Sequence, residues 1–134
     1  MIKKIFPSPI FILRVFIALV FLSAGLYRII NFQSTVLEVQ VLNIPLWLMV
    51  MVICLELSMS FLLLINKYVR FALAMLIGFL FISLLVAIIP NLVEVIKNIR
   101  ELFTYDPTPT DIFLHFTYMI IAIYLFLAYR KKEK

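Results

Sequence analysis

The chain contains very little of several residue types that form reactive centres. It has two glycines, one cysteine and one histidine in 134 positions. A single cysteine, Cys54, cannot form a disulfide within the chain and excludes a CxxC dithiol mechanism. A single histidine, without a group of other ligands, gives no spacing that is typical of a metal site. We therefore expect no metal ion, and we expect Cys54 to be inert inside an apolar run.

Apolar side chains are present in great excess. Hydrophobic residues make up 66% of the chain and charged residues 14%, and the mean hydropathy is +1.17. A soluble domain is about half apolar and about a quarter charged. A chain this short cannot hide so much apolar surface in a core of its own, because small domains bury a smaller fraction of their surface. The composition therefore predicts a membrane protein.

Four apolar runs are long enough to cross a bilayer, which takes about 20 residues. Local signals support their ends: Ser8 and Pro9 predict a capped helix start, and Pro90 predicts an end or a kink. Thr108, with Pro109 and Asp111, resembles a capping box at the start of the last run. We predict spans at residues 9–30, 45–65, 69–89 and 109–129.

The two longer connections between these runs are polar on one side and too short to span. Residues 31–43 predict a short helix or an irregular segment at the membrane surface, and residues 91–105 predict an amphipathic helix. The sequence thus predicts an all-α fold, in which four transmembrane helices form one bundle with amphipathic interfacial segments. We expect a single membrane domain over residues 1–134.

The positive charges predict the orientation in the membrane. The net charge is +5, but the basic residues lie at the ends of apolar runs and form no stripe for nucleic acid. The positive-inside rule places the richer side, and with it both termini, in the cytoplasm. That side holds Lys3, Lys4, Lys67, Arg70, Arg130, Lys131, Lys132 and Lys134, and the other side holds Arg28, Lys97 and Arg100.

The first apolar run carries two arginines on one helical face. Arg14, Ala18, Phe21, Gly25 and Arg28 are spaced by four and three residues, which aligns them along a helix. We expect Gly25 to allow close packing of a neighbouring helix. A cation inside a span faces the interior of a bundle and takes a partner.

Glu56, near the middle of the second run, is the predicted partner of Arg14. Its depth differs from that of Arg14 by only a few residues, and Ser60, one turn on, would complete a polar patch. The pair has two readings: an ion pair that only fixes helix packing, or a proton-linked or anion-binding site.

Arg28, at the outer end of the first run, is a candidate ligand contact. Asp111, His115 and Tyr118 lie at a similar depth on the fourth run, where Asp111 could orient His115. We expect these four residues to line an outward pocket. The competing readings are a snorkelling arginine for Arg28, helix capping for Asp111 and an interfacial histidine for His115.

Two segments resemble the DoxX family of small four-span membrane proteins. The first is Arg14 followed by Phe21-Leu-Ser-Ala-Gly25-Leu-Tyr-Arg28. The second is Pro45, then Glu56-Leu-Ser-Met-Ser60-Phe-Leu-Leu-Leu-Ile65, a short turn and Arg70. The matching positions are Arg14, Gly25, Arg28 and Glu56. Ser60 and Asn66 stand where the family has glycines, and the cysteines of its thiol-redox branch are missing.

The resemblance implies a redox-associated subunit of the cytoplasmic membrane. Such a subunit would bind a quinone or a small sulfur-containing anion between its helices, and it would carry no covalently attached cofactor. Its electrons would come from a soluble or membrane-bound redox or sulfur-transfer protein. The resemblance assigns no catalytic residue. A non-catalytic scaffold or assembly subunit, and a transporter of small molecules or lipids that works as a homo-oligomer, remain the alternatives.

Overall fold

In the computed structural model, the chain is helical apart from short turns over the residues described. The structure describes the backbone of residues 8–97 and 107–132, and the side chains of residues 8–40, 43–89 and 112–130. Its five helices are α1 (Pro9–Ile30), α2 (Phe32–Leu42), α3 (Leu46–Leu64), α4 (Val69–Lys97) and α5 (Pro107–Lys132).

Four of these helices are long and apolar enough to cross a membrane, which confirms the predicted all-α, four-span fold. Their candidate spans are Pro9–Ile30, Leu46–Leu64, Val69–Ile89 and Ile112–Arg130. Helix α2 is the shorter element in the connection between the first two spans, where a short helix was one of the two predictions.

The start of α1 follows the predicted signals, whereas the start of α5 departs from them. The Ser8 hydroxyl accepts a hydrogen bond from the Phe11 amide at 3.3 Å, and Pro9 is the first helical residue. Helix α5 begins at Pro107, so the prediction of Thr108 as its N-cap is wrong. Both prolines fit in the first turn, because the first four N–H groups of a helix have no partner within it.

Helix α4 does not end at Pro90, so of the two predictions for this proline the end is wrong and the kink stays a prediction. The helix continues to Lys97, so residues 91–97 extend a spanning helix and do not start a separate surface helix. The side chains of residues 90–97 and all of residues 98–106 lie outside the described residues, and the predicted amphipathic face at 91–105 falls among them.

Two asparagines end helices where glycine is the usual residue. Asn43 and Asn66 both adopt the left-handed conformation, with φ of 52° and 58°. After each, the next amide donates back to a carbonyl five residues earlier: Ile44 to Val39 at 3.2 Å, and Lys67 to Leu62 at 3.1 Å. This is the Schellman pattern, in which asparagine tolerates the backbone angle that a glycine would adopt freely.

The first compact unit, 1–72, is built on the packing of α1 against α3. The predicted face of α1 is confirmed, because four of its five residues are buried: Arg14, Ala18, Phe21 and Gly25. The facing stripe of α3 contains Met49, Ile53, Glu56, Met59, Ser60 and Leu63. A Cβ added at Gly25 would lie 2.8 Å from Cδ2 of Leu57, so the missing side chain is what allows the close approach.

Helix α2 covers the start of α3. Val39 forms a buried cluster with Met49 and Ile53, and Ile44 packs against that cluster. The first turns of α3 therefore pack against α2.

The second compact unit, 73–134, contains the rest of α4 and all of α5. Buried leucines recur along one stripe of α4 at three- and four-residue spacing: Leu73, Leu76, Leu80 and Leu84. On α5, Ala122 and Leu125 are fully buried. The single domain over residues 1–134 stays a prediction.

Candidate functional site

One guanidinium binds two carboxylates where the end of α1 meets α2 and α3. Nη1 of Arg28 lies 2.6 Å from Oε1 and 2.7 Å from Oε2 of Glu56. On its other edge, Nη2 and Nε of Arg28 donate to the two carboxylate oxygens of Glu38, at 3.2 and 3.4 Å. We call Arg28, Glu38 and Glu56 the Arg28 cluster.

Helix α2 brings Glu38 to this cluster because the chain turns sharply after α1. Thr35, one turn before Glu38 and only 2% exposed, donates its hydroxyl to the Arg28 carbonyl at 2.9 Å. That bond satisfies a carbonyl that the end of α1 leaves without a helical partner. Thr35 and Glu38 are three residues apart and so share a face of α2, which directs the carboxylate towards Arg28.

The two carboxylates differ in burial and in bond length. The Glu56 side chain is 2% exposed and its contacts are short, whereas the Glu38 side chain is 39% exposed and its contacts are longer. A short charge-assisted bond in a buried place is the stronger kind. Glu56 is therefore the fixed partner of Arg28, and Glu38 is the partner that solvent or a ligand can reach.

The charge of the cluster does not balance. One guanidinium faces two carboxylates, so the cluster carries one surplus negative charge whenever both are ionised. A buried site tolerates such a surplus poorly.

The predicted pairing of Arg14 with Glu56 is corrected by this geometry. End-to-end alignment of the predicted spans puts Arg14 level with Ser60, but the structure places Arg14 against Asn66. The offset is six residues, or ~9 Å along a helix. It arises because α3 runs past the end of α1 to pack on α2, with Gly25 against Leu57.

Arg14 instead binds the turn that follows α3. Its Nη1 donates to Oδ1 of Asn66, and its guanidinium carbon lies 5.3 Å from the ring centroid of Phe11. Arg14 is 5% exposed and keeps its predicted place inside the protein, but with a neutral partner. The two arginines of α1 therefore differ in the charge of the groups around them.

Ser60 does not extend the polar patch towards a ligand. It is fully buried, and its hydroxyl donates to the backbone carbonyl of Glu56 one turn earlier. The Ser60 hydroxyl therefore donates its hydrogen bond within α3 itself. Its predicted place beside Glu56 is correct, but the group it meets is the main chain.

The other predicted ligand contacts lie on α5. His115 and Tyr118 are half-buried there, and the Asp111 side chain lies outside the described residues. The convergence of these three residues with Arg28 on one pocket stays a prediction. Cys54 is exposed on α3, because it falls off the stripe that faces α1, and its expected inertness stays a prediction.

Sequence reasoning missed Glu38, Thr35 and Asn66. A signal for Glu38 was present, since Glu38 and Glu56 are the only acidic residues before position 94. With only these two acids near Arg14 and Arg28 in the sequence, Glu38 was a candidate partner as well as Glu56. Thr35 and Asn66 act through the path of the backbone, which spacing along one helix does not reveal.

No metal site is visible in the part of the chain that the structure describes. Within it, no three His, Cys, Asp or Glu side chains converge as ligands of a metal ion would. The charged side chains that do converge within it are Arg28, Glu38 and Glu56.

Comparison with known proteins identifies the family. A family model described as DoxX matches residues 10–89. Searches of curated proteins and of solved structures returned no match. The matched segment covers more than half of the chain and includes Arg14, Gly25, Arg28 and Glu56, and the chain therefore belongs to the DoxX family.

Proposed function

We propose that this DoxX protein is a redox-associated subunit of the cytoplasmic membrane that binds a quinone beside the Arg28 cluster. Both termini would lie in the cytoplasm, as the charge distribution predicts. The observation that carries the proposal is the guanidinium shared by a buried and an accessible carboxylate. Electrons would come from a partner redox protein, since the chain has no electron-carrying group of its own among the described residues.

The cluster has the donors that a quinone headgroup needs. Two edges of the Arg28 guanidinium are in use, and the one towards Glu38 has the longer bonds, at 3.2 and 3.4 Å. A carbonyl oxygen of a ligand could replace Glu38 there, while Glu56 keeps the guanidinium in position. A bound quinone supplies two-electron, two-proton chemistry.

The protein's own part in this proposal is to hold and orient the headgroup. Glu38 is accessible and Glu56 is buried, and both contact the same guanidinium. A ligand that replaces Glu38 would therefore meet a guanidinium that Glu56 still holds in place.

A small sulfur-containing anion is the less favoured ligand at this place. The positive charge of Arg28 is already more than balanced by the two carboxylates. A third negative group would meet repulsion in a site with little water. A neutral quinone meets no such repulsion.

Quinone binding to the purified full chain tests the proposal. Trp47 is the chain's single tryptophan and is exposed near the start of α3, so its fluorescence can report binding of a short-chain quinone. We expect wild type to bind, Arg28→Gln to bind about tenfold more weakly through loss of a charge-assisted donor, and Glu38→Gln to bind at least as tightly as wild type.

A folded wild-type preparation that binds no quinone would overturn the proposal. Equal binding by wild type and Arg28→Gln would also overturn it, because the ligand would then lie elsewhere. Loss of a co-purifying membrane partner in a variant that remains folded, without any quinone in wild type, would instead favour the scaffold alternative.

A further inference from the structure

Arg14 is a buried cation with no acidic partner among the described side chains. It is 5% exposed, its Nη1 is bound to the neutral side chain of Asn66, and its Nε has no hydrogen-bond partner among the described residues. The ring of Phe11 supplies a cation–π contact at 5.3 Å. A buried arginine ordinarily has a carboxylate or another anion as its counter-charge.

The described side chains do not supply that counter-charge. Their only two carboxylates, Glu38 and Glu56, both bind Arg28. Arg28 is fourteen residues from Arg14, or ~21 Å along α1, which is too far for either carboxylate to compensate Arg14. The C-terminal end of α3, beside Asn66, contributes only about half a negative charge.

Two further cations belong to the same turn. Lys67 directly follows Asn66 and is exposed, and Arg70 is the second residue of α4. Three cations therefore lie near the N-terminal end of α1, where the chain crosses from α3 to α4. We expect this end of the candidate spans to lie near the lipid phosphate groups, because the helices are just long enough to cross the hydrocarbon core.

We propose that Arg14, Lys67 and Arg70 form a binding site for a phosphate group, supplied by an anionic membrane lipid. Lys67 reaches the phosphate from the accessible rim. Arg14 forms the charged floor of the site, held by Asn66 and Phe11. The bound phosphate supplies the counter-charge that Arg14 lacks, and it anchors the turn between α3 and α4 to the membrane surface. This site lies at the opposite end of α1 from the Arg28 cluster and does not depend on the proposed redox function.

Native mass spectrometry of the detergent-purified full chain tests the site. The probes are phosphatidylglycerol, phosphatidylcholine as the zwitterionic control, and sodium phosphate. We expect phosphatidylglycerol to stay bound to wild type in preference to phosphatidylcholine. Its affinity should fall about tenfold in Arg14→Gln and about fivefold in Lys67→Gln.

Arg130→Gln is the matched control. It removes one cation on the same predicted side of the membrane that is not one of the three proposed site residues, and it should change the affinity by less than about twofold. Lys67 is exposed, so Lys67→Gln keeps the test valid if Arg14→Gln does not fold.

The sodium phosphate probe distinguishes a lipid headgroup from free phosphate as the ligand of the site. Displacement of the lipid by millimolar sodium phosphate would assign the site to soluble phosphate, and its failure would assign a lipid headgroup. Wild type that binds neither phosphatidylglycerol nor phosphate would overturn the proposal. Equal losses in Lys67→Gln and Arg130→Gln would overturn it too, because binding would then follow surface charge alone.

Discussion

Arg28 donates through one nitrogen to both carboxylate oxygens of Glu56, at 2.6 and 2.7 Å, across the interface between α1 and α3. The carboxylate is 2% exposed. An ion pair in such a place stabilises a fold little by its presence, since desolvation of the two charges offsets their attraction. Removal of Arg28 leaves the Glu56 carboxylate buried and uncompensated, whereas removal of Glu56 leaves Arg28 with Glu38.

Removing Arg28 should destabilise the protein more than removing both members of the pair. Arg28→Met should lower the free energy of unfolding by about 3–5 kcal/mol, because it leaves the buried Glu56 carboxylate without its partner. Glu56→Met should lower it by less, because Arg28 keeps its ion pair with Glu38. The double variant should lose less than the sum of the two. Unfolding by SDS in mixed micelles, followed by helical circular dichroism, measures this cycle. Strictly additive losses would show that the two residues do not interact.

The second carboxylate should matter little for stability. Glu38 is 39% exposed and its contacts are longer, so Glu38→Gln should change the free energy of unfolding by about 0–1 kcal/mol. The same micelle unfolding assay checks this, with Glu56→Gln as the buried counterpart. A loss in Glu38→Gln as large as that in Glu56→Gln would contradict the assigned difference between the two carboxylates.

The chain's two glycines should respond in opposite ways to the same change. At Gly25 an added Cβ lies 2.8 Å from Cδ2 of Leu57, and at Gly78 it meets no atom within 4 Å. Gly25→Leu should force α1 and α3 apart and destabilise by about 1–3 kcal/mol. Gly78→Ala should stabilise by about 0.5–1 kcal/mol through helix propensity. Gly25→Ala and Gly78→Leu complete the matched set, and thermal unfolding in detergent ranks all four.

For Gly25, the separation of the helices should also weaken the Arg28 cluster. The Cβ atom of Glu56 lies 3.5 Å from the Cβ that would be added at Gly25. Quinone binding, if present in wild type, should therefore fall in Gly25→Leu and remain in both Gly78 variants. A Gly25→Leu protein with unchanged stability would show that Leu57 can move aside without consequence.

Substitution by glycine should affect protein stability differently at the two left-handed asparagines. Asn43 and Asn66 share the same backbone role, but only Asn66 has a hydrogen bond from Arg14. Asn43→Gly should be neutral or slightly stabilising, since glycine adopts this conformation freely. Asn66→Gly should lose about 1.5–3 kcal/mol, the value of a hydrogen bond to a charged group.

The unfolding assay again provides the measurement for the asparagines. If Asn66→Gly is as stable as Asn43→Gly, the contact between Asn66 and Arg14 contributes nothing. Asn66→Ala adds a test of the backbone, because alanine at positive φ costs about 1–2 kcal/mol more.

The sequence alone determined which segments become helices and which face of α1 turns inward. Both depend on short-range properties: the length of an apolar run and the three- and four-residue spacing along it. Ser8, Pro9 and the burial of Arg14, Ala18, Phe21 and Gly25 followed from these local rules. Family membership was likewise predictable, since it rests on residues in α1 and α3.

Only the tertiary structure decided which acid meets which arginine. Pairing across two helices depends on their relative register, and spans aligned by their ends place Arg14 six residues away from its observed partner Asn66. The contact of Gly25 with Leu57 and the packing of Val39 on Met49 and Ile53 set that register.

The turn after Ile30 brings Glu38 back onto Arg28, although the two are ten residues apart in the chain. These long-range contacts are properties of the packed helices, and no periodicity within a single helix encodes them. The two arginines of α1 share one face by sequence. The packing around that face makes Arg28 an ion-pair centre and leaves Arg14 without an acidic partner among the described side chains.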